Sequence, residues 1–435
     1  MTSNYRVEAG GALRGRIRVP GDKSISHRSI MLGALAEGVT RVSGFLEGED
    51  ALATMNVFRA LGVRIDGPQN GNVTVHGVGM KGLRRPAGVL DCGNSGTSMR
   101  LLCGLLAGQN FDCELTGDAS LRKRPMKRVT DPLAAMGATM TTADGGRPPI
   151  SIRGNSGMRA MQYAMPIASA QVKSSLLLAG LYASGKTCVT EPAPTRDHTE
   201  RMLHAFGYAV ERSGATACVT GGGKLTATAI EVPADISSAA FFMVGASIAL
   251  GSDLVLEHVG VNATRTGVID ILRLMGADIA LENERLVGGE QVADVRVRHA
   301  ELHGIDIPVE LVPLAIDEFP VLFIAAANAR GTTILRGAEE LRVKESDRIA
   351  VMAQGLQALG IAAEPTADGM RIVGGAYGGG HIESEGDHRI AMAFAIAGLR
   401  AGAPIAIADC ANVATSFPGF VALARGAGLK IEERS

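Results

Sequence analysis

FRALGVRI, residues 58–65, reads as the last turn of an amphipathic helix, a glycine and the start of a strand, and the same phrase returns five more times. The copies are LAAMGATM (133–140), LHAFGYAV (203–210), LRLMGADI (272–279), LQALGIAA (356–363) and LARGAGLKI (423–431). Their glycines, Gly62, Gly137, Gly207, Gly276, Gly360 and Gly428, stand 75, 70, 69, 84 and 68 residues apart, close to a sixth of the 435-residue chain. A spacing that regular marks a structural repeat. Each glycine falls where a helix C-cap needs positive φ, which a residue without Cβ adopts at least cost.

A second phrase precedes each of these: an Ala/Leu/Met-rich helix, a small-residue turn and a β-branched strand. Examples are SHRSIMLGALAEGVTRVSG (26–44), TSMRLLCGLLAGQNFDCELTG (97–117), SAQVKSSLLLAGLYASGKTCVTEP (169–192) and FPVLFIAAANARGTTILRG (319–337). The repeating unit is therefore helix, strand, loop, helix, strand. Six units in two halves of three predict an α/β chain of two domains with helices packed inside sheets, hinged around Val232 and Pro233. Length agrees, since 435 residues are about twice one ordinary domain.

Composition narrows the function. With 46% hydrophobic and 20% charged residues the chain has ample material for packed cores, which excludes disorder. Its 43 basic and 44 acidic residues leave a net charge of −1, without the excess that long-range attraction to nucleic acid or anionic lipid requires. Tryptophan is absent and aromatic residues make up 4%, so stacking platforms for bases are scarce and small ligands are favoured. Cys92, Cys103, Cys113, Cys188, Cys218 and Cys410 are scattered with no CxxC pair, which suits a reducing compartment better than a disulfide framework. The start, MTSNYRVEAGGALRGRIRVPGDKS, lacks the apolar core of a signal peptide, and no apolar run approaches a membrane span. A soluble cytoplasmic protein is expected.

The repeat also organises the polar residues. First helices open with Lys23 and Ser24, Asn94 and Thr97, Ser169 and Gln171, Asp235 and Ser237, Asp317 and Glu318, and Asp387 and Arg389. Second helices open near Arg124, Arg196, Arg265 and the run Lys344, Glu345, Arg348. Capping accounts for the Ser, Asp and Asn residues. It does not account for Lys23, Arg28, Arg100, Arg124, Arg196 or Arg389, because a cation at a helix start opposes the dipole. Helix N-termini supplemented by cations make a strong anion site.

Three motifs mislead. GLYASGKT (180–187) matches a P-loop, yet a helix precedes it and a strand follows, the reverse of the required context. GVGMKG (77–82) matches GxGxxG, but Pro86 blocks the helix that a dinucleotide site needs. HAELH (299–303) spaces His299 and His303 for a metal, but Gly304 follows at once and a surface turn is expected.

At the polar helix starts the chain resembles the 5-enolpyruvylshikimate-3-phosphate synthase family of enolpyruvyl transferases. The matching stretches are PGDKSISHR (20–28), GNSGTSMR (93–100), GDASLRKRPM (117–126), SAQVKSSLLLAGL (169–181), RDHTERM (196–202), DEFP (317–320), LRVKESDR (341–348), DHRIAM (387–392) and ATSFP (414–418). The resemblance implies an inside-out α/β barrel architecture, two domains each of three βαβαββ repeats. The chain would cross between domains twice, giving residues 21–232 as the amino-terminal domain and residues 1–20 with 233–435 as the carboxyl-terminal one. It also implies transfer of the enolpyruvyl group of phosphoenolpyruvate to the 5-hydroxyl of shikimate 3-phosphate, by a monomer, with no cofactor, metal, nucleic acid or membrane. A sister family acting on UDP-N-acetylglucosamine carries a reactive cysteine in the loop that here reads DASLRKRPMKR, which has none.

By residue-wise resemblance, Lys23, Ser24, Arg28, Ser169, Ala170, Gln171, Arg196, Asp317 and Lys344 hold shikimate 3-phosphate. Lys23, Gly96, Gln171, Arg124, Arg348 and Arg389 hold phosphoenolpyruvate. Asp317 is expected to act as base toward the hydroxyl and Glu345 to exchange a proton with carbon, with Lys23 assisting; an ion pair of Glu345 with Arg348 is the plainer reading of that residue. The chain departs from the family at Thr415, where many members have lysine, and at Leu101, where many have proline. SLRKRPM, SAQVKSS and ATSFP resemble a branch often tolerant of glyphosate, but that branch usually has alanine where Gly96 stands.

Overall fold

The computed structural model describes residues 3–154 and 157–434. Among the described residues twelve α-helices alternate in two kinds. The first kind comprises α1 (Lys23–Leu35), α3 (Gly96–Ala107), α5 (Ala170–Gly180), α7 (Ile236–Ile248), α9 (Phe319–Ala327) and α11 (His388–Ala397). These are apolar nearly all round, and from the first turn onward almost every residue is buried, as a helix without a polar face requires. The second kind comprises α2 (Glu49–Ala60), α4 (Lys127–Ala135), α6 (His198–Ala205), α8 (Gly267–Leu274), α10 (Arg348–Ala358) and α12 (Phe420–Ala427). These bury one stripe, as α4 does with Val129, Pro132 and Leu133. All six repeat glycines have positive φ, from +78° at Gly207 to +118° at Gly428, so the recurring helix-to-strand turn is the backbone conformation the sequence phrase encodes.

The chain divides into two compact units, Gly21–Val232 and Met1–Pro20 with Pro233–Ser435, each with its own apolar core. In the first unit three sheets repeat one pattern. Leu90–Asp91 runs parallel to Cys113–Thr116, which pairs antiparallel with Arg147–Arg153, which pairs antiparallel with Thr139–Ala143. Gln162–Ala164, Lys186–Thr190, Thr216–Thr220 and Val210–Ser213 follow the same order, as do Leu225–Thr226, Ala36–Ser43, Asn72–Val78 and Arg64–Gln69.

The second unit repeats the pattern with borrowed strands. Arg14–Ile17 runs parallel to Asp253–Gly260, which continues antiparallel to Glu290–Arg298 and Asp278–Val287. Asn4–Val7 lies inside another sheet, antiparallel to both Ile405–Ala408 and Ile431–Arg434, with Gly380–Glu383 parallel on the outer side. The third sheet is Thr332–Leu335, Gly369–Val373 and Ala362–Thr366, with isolated parallel bridges at His303–Arg330 and Asp306–Ile334 in place of a full outer strand.

One expectation fails. Cys188 and Cys218 form a disulfide, because the antiparallel register of Lys186–Thr190 with Thr216–Thr220 sets them directly opposite, with Cα atoms 4.1 Å apart. Sequence spacing of 30 residues carries no sign of that register. Cys92, Cys103, Cys113 and Cys410 are free and buried. Two of the three misleading motifs resolve as expected: residues 180–187 join α5 to a strand, and residues 77–82 end a strand in a turn. Residues 299–303 are not helical, but in place of the expected surface turn Leu302 is buried and His303 bridges Arg330. Among the described residues no acidic, histidine or cysteine cluster suits a metal, and no helix is long and apolar enough to cross a membrane.

Candidate active site

In the Gly21–Val232 unit the site begins with caps. Asp22, Ser95 and Ser169 each accept a hydrogen bond from the backbone three residues on, starting α1, α3 and α5. Those caps set Lys23 and Ser24 in the first turn of α1, Gly96 in that of α3, and Ala170 and Gln171 in that of α5. The Lys23 ammonium donates to Asp50 Oδ2 at 3.0 Å, a carboxylate in α2 that sequence reading passed over.

Around Gly96 the cations gather. Arg100 Nη1 donates to Gln171 Oε1 at 2.8 Å, and Gln171 Nε2 donates to Thr97 Oγ1 at 2.9 Å. Arg124 Nη2 donates to Asn94 Oδ1 at 2.9 Å, and Asn94 is held in turn by Asp118. A Cβ placed on Gly96 would lie 2.8 Å from Arg100 Nη1 and 3.1 Å from Arg124 Nη1. Gly96 thus lies beneath two guanidinium groups, where two of the six cations that capping leaves unexplained, Arg100 and Arg124, meet. Gly96, Arg124 and Gln171 are brought together around Arg100. Arg100, which sequence reading singled out only as a misplaced cation, belongs with them.

Arg28 is different. It is buried, and its guanidinium donates to Thr199 Oγ1 at 2.7 Å, Ser174 Oγ at 2.9 Å and the Ser24 carbonyl at 3.0 Å, tying α6, α5 and α1 together. Behind the same helix starts lies His27, whose Nδ1 pairs with Thr54 Oγ1 at 2.7 Å and whose ring also faces Ser98 and Ser95. Burial, reinforced by the charges of Lys23 and Arg28, pushes the imidazole down to about 3. It is therefore neutral in the working range. Arg196 sits half-buried in the loop between the strand Lys186–Thr190 and α6.

In the other unit the charges form a chain centred on Arg348, which is 1% exposed at the start of α10. Its Nη2 donates to Glu345 Oε2 at 2.6 Å, its Nε to Asp387 Oδ2 at 2.8 Å, and its Nη1 lies 3.5 Å from Asp317 Oδ1. The plainer reading of Glu345, an ion pair with Arg348, is thus present. Burial alone would lower the guanidinium, but Asp387 and Glu345 outweigh it and the net shift is upward. Asp387 shows the converse: burial raises its carboxyl, Arg348 outweighs that, and it stays below its ordinary value.

Lys344 Nζ lies 3.3 Å from Asp317 Oδ1 and donates to Glu340 at 2.8 Å, so Asp317 faces two cations. Arg389, whose backbone N–H donates to Asp387 at 2.9 Å, donates through Nη1 to the Asp317 carbonyl at 2.9 Å. Glu318, fully buried, lies within 3.8 Å of both Arg389 and Arg265 and accepts from Ser237. Asp387 and Glu318 are therefore carboxylates of this site that sequence reading named only as helix starts. Thr415 is buried in the 3-10 turn Ala411–Thr415 and donates to the Asn412 carbonyl at 2.7 Å, so it supplies nothing in place of the lysine many relatives have. None of the free cysteines is activated: burial pushes Cys92 well up, and Cys103, Cys113 and Cys410 up to about 12.

The mixed α/β fold is that of the enolpyruvyl transferases. The fold is shared even by the enolpyruvyl transferase NikO of Streptomyces tendae, with a TM-score of 0.77 at 17% identity over 99% of both chains. Residues 7–423 match EPSP synthase (3-phosphoshikimate 1-carboxyvinyltransferase), and the chain belongs to that family. It is 70% identical over 428 residues to the 3-phosphoshikimate 1-carboxyvinyltransferase of Alkalilimnicola ehrlichii, covering 98% of this chain and 96% of that one. That of Methylococcus capsulatus is 68% identical, with 98% of each chain covered. The solved EPSP synthase of Acinetobacter baumannii superposes with a TM-score of 0.89 at 59% identity over the whole of both chains.

Proposed function

We propose that the two residue sets serve one reaction and divide its work as follows. As a member of its family the chain transfers the enolpyruvyl group of phosphoenolpyruvate to the 5-hydroxyl of shikimate 3-phosphate, releasing phosphate, in aromatic amino-acid biosynthesis. The observation that carries the division is the bare turn at Gly96 beneath Arg100 and Arg124. In a chain of net charge −1 such a concentration of cations is built for small, highly charged anions.

Phosphoenolpyruvate is assigned to Lys23, Gly96, Arg124, Gln171, Arg348 and Arg389. Shikimate 3-phosphate is assigned to Lys23, Ser24, Arg28, Ser169, Ala170, Gln171, Arg196, Asp317 and Lys344, with Arg28 acting largely through the helices it ties. Asp317 takes the proton of the attacking 5-hydroxyl as the C–O bond forms. Glu345, protonated, gives its proton to the methylene carbon, and the tetrahedral intermediate results. Collapse returns a methyl proton to Glu345 while the C–O bond to phosphate breaks. In the free protein Glu345 Oε2 accepts from Arg348 Nη2 at 2.6 Å, and a substrate anion drawing on that guanidinium frees the carboxyl to face the methylene carbon. Lys23, once an anion displaces Asp50 from it, assists either transfer.

Each unit is read as an inside-out barrel of three βαβαββ repeats with the helices packed inside the sheets. The burial of α1, α3, α5, α7, α9 and α11 and the recurring strand order support that reading. Residues 21–232 are the amino-terminal domain and residues 1–20 with 233–435 the carboxyl-terminal one. The enzyme is assigned to the cytoplasm as a monomer; four free buried thiols support a reducing compartment, and the single disulfide is the observation against it.

Phosphate release on mixing phosphoenolpyruvate with shikimate 3-phosphate, and none with UDP-N-acetylglucosamine as acceptor, tests the reaction. In the same assay Asp317→Asn is expected to lower turnover by about 100-fold or more, the usual scale of a general acid–base group. Turnover near wild type would remove Asp317 from the chemistry.

A further inference from the structure

We propose that Lys173 is a positioning residue that fixes Arg196 against the first turn of α5. Lys173 is 1% exposed and lies in α5, two residues beyond Gln171. It lies 3.0 Å from Glu191 Oε2 and 2.8 Å from Glu200 Oε1, two carboxylates that are themselves buried, and donates to the Thr195 carbonyl at 3.4 Å.

Those partners bracket Arg196. Thr195 Oγ1 donates to Glu191 Oε2 at 2.6 Å, closing the loop on itself. On the other side of Arg196, Asp197 is held by Arg201 at 2.9 Å and Arg212 at 3.1 Å, and Arg212 also lies 3.8 Å from Glu191. The loop from Glu191 to Asp197 is thus pinned at its start, immediately before Arg196 and immediately after it. The pin before Arg196 originates in α5, the helix whose first turn carries Ser169, Ala170 and Gln171.

Stability does not account for the trio. Burying three charges costs desolvation that their attraction roughly repays, and apolar replacements of a buried ion pair are often neutral or stabilising. What an apolar cluster cannot do is grip a main-chain carbonyl and a hydroxyl in a chosen direction. The trio gives the two parts of the shikimate 3-phosphate site a fixed separation, so that the loop is ordered before the ligand arrives.

This inference rests on the assignment of Arg196 to shikimate 3-phosphate, and the test separates the two. The variant Lys173→Met/Glu200→Met replaces one buried pair with apolar side chains of similar volume. It leaves the Glu191 carboxylate with only Thr195 and Arg212 as partners, so it is expected to fold with a lowered melting temperature. It is expected to keep kcat within about threefold and KM for phosphoenolpyruvate within about twofold, and to raise KM for shikimate 3-phosphate about tenfold. Added to Arg196→Ala, the same pair is expected to change nothing further. An unaltered KM for shikimate 3-phosphate in the folded double variant, or a second tenfold rise in the Arg196→Ala background, overturns the inference alone. If Arg196→Ala by itself leaves that KM unchanged, the assignment of Arg196 falls and takes the inference with it. Should the double variant not fold, Thr195→Val removes only the hydroxyl link to Glu191. It is expected to raise KM for shikimate 3-phosphate about threefold, and no rise would again overturn the proposal.

Discussion

Gly96 shows how much one missing methyl can decide. Its backbone φ is ordinary, so the reason for glycine there is space beneath Arg100 and Arg124. Both neighbours are the far ends of flexible side chains, so Gly96→Ala should fold normally and displace the guanidinium tips by a few tenths of an ångström. Glyphosate resembles phosphoenolpyruvate but spans further between carboxylate and phosphorus, so the intruding methyl should hinder it more. Inhibition kinetics are expected to show wild type inhibited competitively with phosphoenolpyruvate, and Gly96→Ala raising the inhibition constant about tenfold more than KM. Equal rises in both constants would mean that the glycine only makes room for what the two ligands share. His27 carries a second consequence. Its pKa in the folded protein, about 3, lies below the ordinary 6.5, so between those values the unfolded chain takes up a proton that the folded chain refuses. Stability from this source is complete above about pH 6.5 and falls as the pH drops toward 3, by at most about 1.4 kcal/mol per pH unit. Urea denaturation across that range should give a shallower pH slope for His27→Asn than for wild type. Identical slopes would assign the acid sensitivity to other groups.

Some helix starts cap, and some cap and also hold a buried guanidinium. Asp22 accepts from the Ile25 N–H at 2.8 Å, and Asp22→Ala should cost about 1 kcal/mol, the usual value of a cap. Asp387 caps α11 and also accepts two hydrogen bonds from the buried Arg348, so Asp387→Ala leaves a guanidinium without its most deeply buried partner and should cost about 3 to 5 kcal/mol. Denaturant midpoints of the two variants check the contrast, and similar losses would mean that Arg348 finds compensation in Glu345 and Asp317. The same division explains what the sequence could disclose. Capping residues, repeat glycines and all-apolar helices are local features, written within a few residues of where they act, and the repeat was legible for that reason. Asp50, Lys173, Glu318 and the Cys188–Cys218 bond act across elements far apart in the chain. Their residue types are ordinary at their own positions, and only the packing of α1 on α2, or one strand's register on another, gives them a function. Arg100 lies between these cases: its wrong sign at a helix start was visible, but its pairing with Gln171, a repeat away, was not.

For the molecule as a whole, the two units differ in self-sufficiency. Residues 21–232 contain α1 to α6, one apolar core and three sheets with every strand supplied from within. Produced alone, that fragment should give a cooperative thermal transition by circular dichroism. Residues 233–435 alone lack Asn4–Val7, which separates Ile405–Ala408 from Ile431–Arg434, and so lose an interior strand with its two hydrogen-bonded flanks. No cooperative transition is expected from that fragment, and observing one would show the strand to be dispensable. The position of Asn4–Val7 also sets a timetable. A ribosome adding about 5 to 20 residues per second delivers this strand roughly 20 to 85 seconds before the last of its neighbours. Through that interval Tyr5 and Val7, both destined for the interior, wait unpaired while residues 21–232 fold behind them. The later-made unit is thus completed by residues made before the earlier one, and its folding must wait for translation rather than the reverse.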